Sequence, residues 1–71
     1  MEAKLINSSE QAIKLIGKSI INLEASQKRY VEIEIVAFGK RYFMLQYNGC
    51  EPFVMAMSEV NRYLKSKKWR L

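Results

Sequence analysis

From Tyr30 to Phe38 the chain alternates strictly, with Val31, Ile33, Ile35 and Ala37 on one side and Tyr30, Glu32, Glu34, Val36 and Phe38 on the other. A period of two, carried by β-branched and aromatic residues, is that of a half-buried strand and commits the chain to a sheet. The turn signals that follow make the sheet antiparallel. Gly39-Lys40 predicts a tight turn opened by glycine at positive φ, leading into a strand over Arg41 to Tyr47. Asn48-Gly49 is the favoured pair for a type I′ hairpin. Phe53, Met55 and Met57 then alternate with Val54 and Ala56 as a further strand. Pro52 at its start suits an edge position, where the missing N–H breaks no ladder bond.

Helices are expected on both flanks. Ser8 can cap a short helix while Gln11, three residues on, reaches back as in a capping box, and Ala12, Ile13, Leu15 and Ile16 supply its apolar side. Gly17 ends it by entering the left-handed conformation without a Cβ penalty. Residues 18–25 admit two readings. Ile21, Leu23 and Ala25 alternating with Asn22, Glu24 and Ser26 favour a strand, whereas Ile13, Ile16, Ile20 and Leu23 at helical spacing favour a longer helix with Gly17 inside it. The stretch Ala3 to Asn7 is too short to classify. At the other end Ser58 is an expected N-cap, with Glu59 behind it and Val60, Tyr63, Leu64 and Leu71 as an apolar stripe. The fold class is α+β: a short N-terminal helix, an antiparallel meander of three to four strands and a C-terminal helix, in one domain over residues 1–71.

Charge is distributed unevenly along this frame. Residues 1–61 hold seven Lys or Arg and seven Glu, so the net charge of +5 lies in the last ten residues. There Arg62, Lys65, Lys67, Lys68 and Arg70 surround the only tryptophan, Trp69, with no acid among them. On a helix running from Ser58, residues 62, 65 and 69 share one side. A basic face with one aromatic can hold phosphates and stack a base, or dock on an acidic protein surface. The alternative is a solvated helix end, with cations placed for the dipole and Trp69 folded over the core. Lys28-Arg29 and Lys40-Arg41 fall in turns at opposite ends of a meander, so at most one pair can extend the C-terminal patch. Glu24, Glu32 and Glu34, with Tyr30 and Tyr42, make the second sheet face a poor phosphate platform.

Catalysis has little to stand on. Without histidine the usual neutral-pH acid or base and most zinc sites are unavailable, and no phosphate-binding glycine loop or nucleophile elbow is present. No catalytic residue, cofactor or metal ligand is assigned. The lone Cys50 cannot form an internal disulfide, which suits a reducing, cytoplasmic setting. No apolar run approaches the ~20 residues needed to span a bilayer, and no signal sequence is evident.

The element order helix, meander, helix is similar to that of double-stranded-RNA-binding domains. Their final helix opens on a Lys-Lys-x-Ala-Lys-type segment, where this chain reads Ser58-Glu59-Val60-Asn61-Arg62 and carries its basic cluster at the other end. The short helix, Gly17-Lys18 and the strands that follow also resemble small SH3-like or Sm-like barrels, without Sm loop signatures. Both resemblances rest on element order. The expected role is that of a small non-enzymatic binding protein, with DNA or RNA contacted through Arg62, Lys65, Lys67, Lys68, Trp69 and Arg70. A protein-interaction module, such as a phage or mobile-element accessory protein that inhibits a host factor, or a homodimer through the sheet, is the second expectation. Met44, Met55 and Met57 with Phe43 and Phe53 form a soft, aromatic-rich group whose first expected role is core packing, and which supplies an apolar contact surface if the helices leave one sheet face uncovered.

Overall fold

A computed structural model describes residues 5–71, so the expectation for Ala3 to Asn7 lies partly outside the described residues. Helix α1 (Ser9–Lys14) is followed by strand β1 (Ser19–Asn22), a single 3₁₀ turn (Lys28–Tyr30), β2 (Glu32–Gly39), β3 (Tyr42–Tyr47), β4 (Phe53–Ala56), helix α2 (Met57–Lys65) and β5 (Trp69–Arg70). The strands form one five-stranded antiparallel sheet in the order β4-β3-β2-β1-β5. The class is mixed α+β, with one strand more than the expected meander and the last strand returning beside the first. That return departs from the element order on which the likeness to double-stranded-RNA-binding domains rests.

One sheet face is sealed and the other is open. Ile20, Ile33, Ile35, Phe43 and Leu45, with Trp69 of β5 on the same face, are buried beneath Ile6, Ala12, Val60 and Leu64. Each fully buried aliphatic or aromatic side chain contributes about 1.5–3 kcal/mol, so these few residues hold most of the fold. Residues 18–25 resolve as a strand over 19–22, with Ile20 rather than Ile21 turned to the core. Its ladder with β2, in which Ile20 stands opposite Ile33, offsets the loss of a longer α1.

Strict alternation fails at Val36. The register steps from Ile35↔Leu45 to Ala37↔Met44, so β2 holds one extra residue and its side chains change faces. Phe38 therefore joins the core side, 4.7 Å from Phe43 between ring centroids, while Ala37 turns outward. The two turns also exchange roles. Gly39 pairs with Tyr42, and the two-residue loop between them is Lys40-Arg41, at φ 50° and 66°; these positive angles are those of a type I′ hairpin. Asn48-Gly49 sits instead in a wider connection, where Gly49 alone has positive φ, 79°, and the Cys50 N–H returns to the Tyr47 carbonyl at 3.1 Å.

Ser8 caps α1, accepting from the Gln11 N–H at 3.2 Å, while Gln11 accepts the Asn7 N–H. Gly17, at φ 90°, turns the chain into β1. Asn61 of α2 pins the N-terminal segment: its carbonyl accepts the Ile6 N–H at 2.8 Å and its amide donates to the Ile6 carbonyl at 2.7 Å. With those backbone groups satisfied, Ile6 enters the core at 1 % exposure.

The C-terminal helix differs most from expectation. It begins at Met57, capped by Ala56 without a side-chain bond, so Ser58 lies inside it rather than before it. It ends at Lys65. The Lys67 N–H bonds the Leu64 carbonyl and the Lys68 N–H the Tyr63 carbonyl, with Lys67 at φ 64°, which is a Schellman stop. Glycine usually occupies that left-handed position, since a side chain there costs about 1–2 kcal/mol. Lys67→Gly is accordingly expected to raise the melting temperature by several degrees in a thermal melt followed by circular dichroism.

Candidate nucleic-acid interface

Because α2 stops at Lys65, the cations of the last ten residues do not share one helical face. Arg62 is exposed and lies 3.6 Å from Glu59, the one ion pair among the described residues. Lys65, Lys67 and Lys68 surround the helix terminus, all exposed, where cations complement the unpaired carbonyls of the final turn. Trp69 and Arg70 belong to β5, whose alternation sends them to opposite faces. Trp69, opposite Asn22, is 6 % exposed and belongs to the core. Arg70, opposite Ile21, is exposed and lies on the open side of the sheet.

Trp69 is held there by a stacked neighbour. Its ring lies 4.5 Å from that of Tyr63 at an interplanar angle of 18°. Tyr47 meets Tyr30 edge-on at 5.3 Å and stacks on Phe53 at 5.5 Å. Burial raises the Tyr47 hydroxyl above its ordinary pKa, and the neighbouring Tyr63, Cys50 and Tyr30 act in the same sense. These five rings form two groups, Tyr63 with Trp69 and Tyr47 with Tyr30 and Phe53, and make an aromatic floor at one end of the sheet, where β1 and β3 finish and β2, β4 and β5 begin. Each such pair contributes about 0.5–1.5 kcal/mol beyond simple area burial.

Cations are seated on this floor from two distant parts of the chain. The Lys68 ammonium lies 5.9 Å from the Tyr63 ring centroid, and the Arg29 guanidinium 5.1 Å from that of Tyr30. The Lys68 carbonyl accepts the Leu23 N–H at 2.8 Å, tying the helix terminus to the loop that leads into Lys28 and Arg29. Lys28, Arg29, Lys65, Lys67 and Lys68 thus rim one end, against Glu24 and Glu51 in the adjoining turns. Turn alternation allowed only one basic turn to join the C-terminal cations; the strand order makes it Lys28-Arg29 and sends Lys40-Arg41 to the opposite end. No local signal places Arg29 and Tyr30 at the same end of the sheet as Tyr63 and Lys68.

The open sheet face is different in kind. Glu32, Glu34 and Gln46 line a polar depression of about 270 Å³, while Tyr42, Met44 and Val54 are exposed toward the β4 edge. Tyr30, expected on this face, lies instead against Tyr47. Met55 and Met57 are half-buried against the core, so of the three sheet-region methionines only Met44 is free. Among the described residues, no group of three or more potential metal ligands converges and no helix is long and apolar enough to cross a membrane. No family model matches the chain, and no curated protein or solved structure matches it either.

Proposed function

We propose that the chain acts by binding rather than catalysis, and that its target is a nucleic acid gripped through its phosphates at the Lys28, Arg29, Lys65, Lys67 and Lys68 end. One observation carries this reading: Arg29 and Lys68, from distant parts of the sequence, sit over tyrosine rings at one end of the sheet, with Lys28, Lys65 and Lys67 exposed at the same end, and none of the five is in an ion pair among the described residues. Clustered cations of this kind raise the local potential and release counterions when phosphate binds. Arg62 and Arg70 lie outside the rim, and their contribution is long-range. Trp69 supports the site from beneath and is not a stacking platform, since its ring is sealed against Tyr63. With Trp69 buried and the other rings at this end half-buried, the contact is to backbone and independent of sequence.

Fluorescence anisotropy at low salt, with labelled single-stranded and duplex oligonucleotides of unrelated sequence, tests this. The expected result is binding to all with affinities of the same order. No binding to any DNA or RNA overturns the proposal. The exposed Tyr42, Met44 and Val54 favour a second reading, a protein-contact role of the open face; capture of a defined protein after nuclease treatment, insensitive to reversal of Lys65 and Lys68, would support it.

A further inference from the structure

We infer that two copies of this chain join along β4, antiparallel about a two-fold axis, to make one continuous sheet. β4 is an end strand, bonded to β3 alone. The Met57 N–H donates to the Arg41 carbonyl at 2.9 Å, one step beyond the Tyr42↔Ala56 pair. Bonded pairs alternate in an antiparallel ladder, so Phe53 and Met55 face β3 while Val54 turns its N–H and C=O to the open edge. Natural edges are guarded by short strands, proline, lysine, bulges or inward charges; here Pro52 guards the start of a four-residue strand and leaves the Val54 groups open. Phe53–Ala56 carries no charge, and its pairing with β3 runs without a bulge. Beside it Val54 is 61 % and Tyr42 53 % exposed, around a depression of about 270 Å³ shared with Met44 and Ala37.

Charge selects a second copy as the occupant. Glu51 is exposed just before β4, and the Lys40-Arg41 turn lies at its far end, tied there through Arg41 to Met57. An antiparallel pairing centred on Val54 lays Glu51 at the β4 edge of each copy against the Lys40-Arg41 turn of the other, twice over, while the Lys68 side of the basic rim lies by β5 at the far edge of the sheet. A parallel pairing sets like charge on like. Lys40 and Arg41 hold φ values of 50° and 66°, where Asn and Gly are the less strained residues, so both charges stand at this corner against backbone preference. The two Lys65–Lys68 clusters end at opposite ends of the joined sheet and do not repel across the seam. The contact is isologous, so it closes at two copies.

Sedimentation equilibrium of the full chain, from micromolar to millimolar, tests the inference. The mass is expected to rise from 8.3 kDa toward twice that value. Val54→Lys, at an exposed site, is expected to remain monomeric with an unchanged circular dichroism spectrum. Glu51→Arg is expected to weaken association roughly tenfold, and adding Arg41→Glu to recover it, as for a close interfacial charge pair. A wild-type chain that stays monomeric at millimolar concentration overturns the inference. So does a Val54→Lys chain that still dimerises, an assembly larger than two, or a Glu51/Arg41 swap without recovery.

Discussion

Trp69→Ala is expected to lower the melting temperature by more than about 10 °C and to leave part of the chain unfolded at ambient temperature. Truncating a buried tryptophan costs about 3–5 kcal/mol. A chain of 71 residues has only roughly 4–10 kcal/mol in all, and each kcal/mol moves the midpoint by about 4–8 °C at this size. The variant also removes the Tyr63 stack and loosens the β5–β1 pairing that Trp69 anchors opposite Asn22. Trp69→Phe retains a stacked ring and is expected to lose much less. A thermal melt of both variants decides the matter. A tryptophan that served as a free platform for bases would show the reverse pattern, a near-native melt with lost nucleic-acid affinity.

The second large effect is on binding. Lys65→Glu with Lys68→Glu is expected to weaken nucleic-acid affinity by about 100-fold or more, because charge-assisted hydrogen bonds contribute about 1.5–3 kcal/mol each and both contacts become repulsive. The fold should persist. Lys68 holds Leu23 through its backbone carbonyl, which the substitution keeps, and the lost cation–π contact is worth about 0.5–1 kcal/mol at an exposed site. Lys14→Glu with Lys18→Glu serves as the control, since these residues flank the opposite end of β1. The molecule measures 31 × 30 × 16 Å, longer than the ~10 Å screening length at 0.1 M salt, so reversal there should change affinity little. Anisotropy titration of both double variants against one labelled strand measures the difference.

What the sequence reveals about the fold ends where local pattern meets tertiary choice. The periodicity of Glu32 to Ile35 and of β3 is legible because one sheet face is buried along its length. The bulge at Val36 is not, since an extra residue leaves no compositional mark, and so Phe38 and Ala37 are assigned to the wrong faces. Asn48-Gly49 is the stronger type I′ signal, yet the tight turn falls at Lys40-Arg41, because strand register overrides turn preference once Leu45 must stand opposite Ile35 and Phe43 opposite Phe38. The end of α2 is hidden for a similar reason. Lys67 takes a left-handed angle that glycine would have announced, and β5 then draws Trp69 under the sheet. The cations of the candidate site are visible in the sequence, but their grouping is not. Lys28 and Arg29 come to the same end as Lys68 only through long-range pairing of β1 with both β2 and β5.

The salt dependence of nucleic-acid binding bears most directly on the proposed role of the Lys28, Arg29, Lys65, Lys67 and Lys68 rim. Five phosphate contacts imply a slope of log affinity against log salt of about −3.5 for a single strand and about −4.5 for a duplex. Affinity should therefore fall roughly 100- to 500-fold between about 50 and 200 mM salt, equally for unrelated sequences. Lys65→Glu with Lys68→Glu should flatten that slope by about one to two units. A slope near zero, or one that the double reversal leaves unchanged, would contradict binding at this end of the molecule.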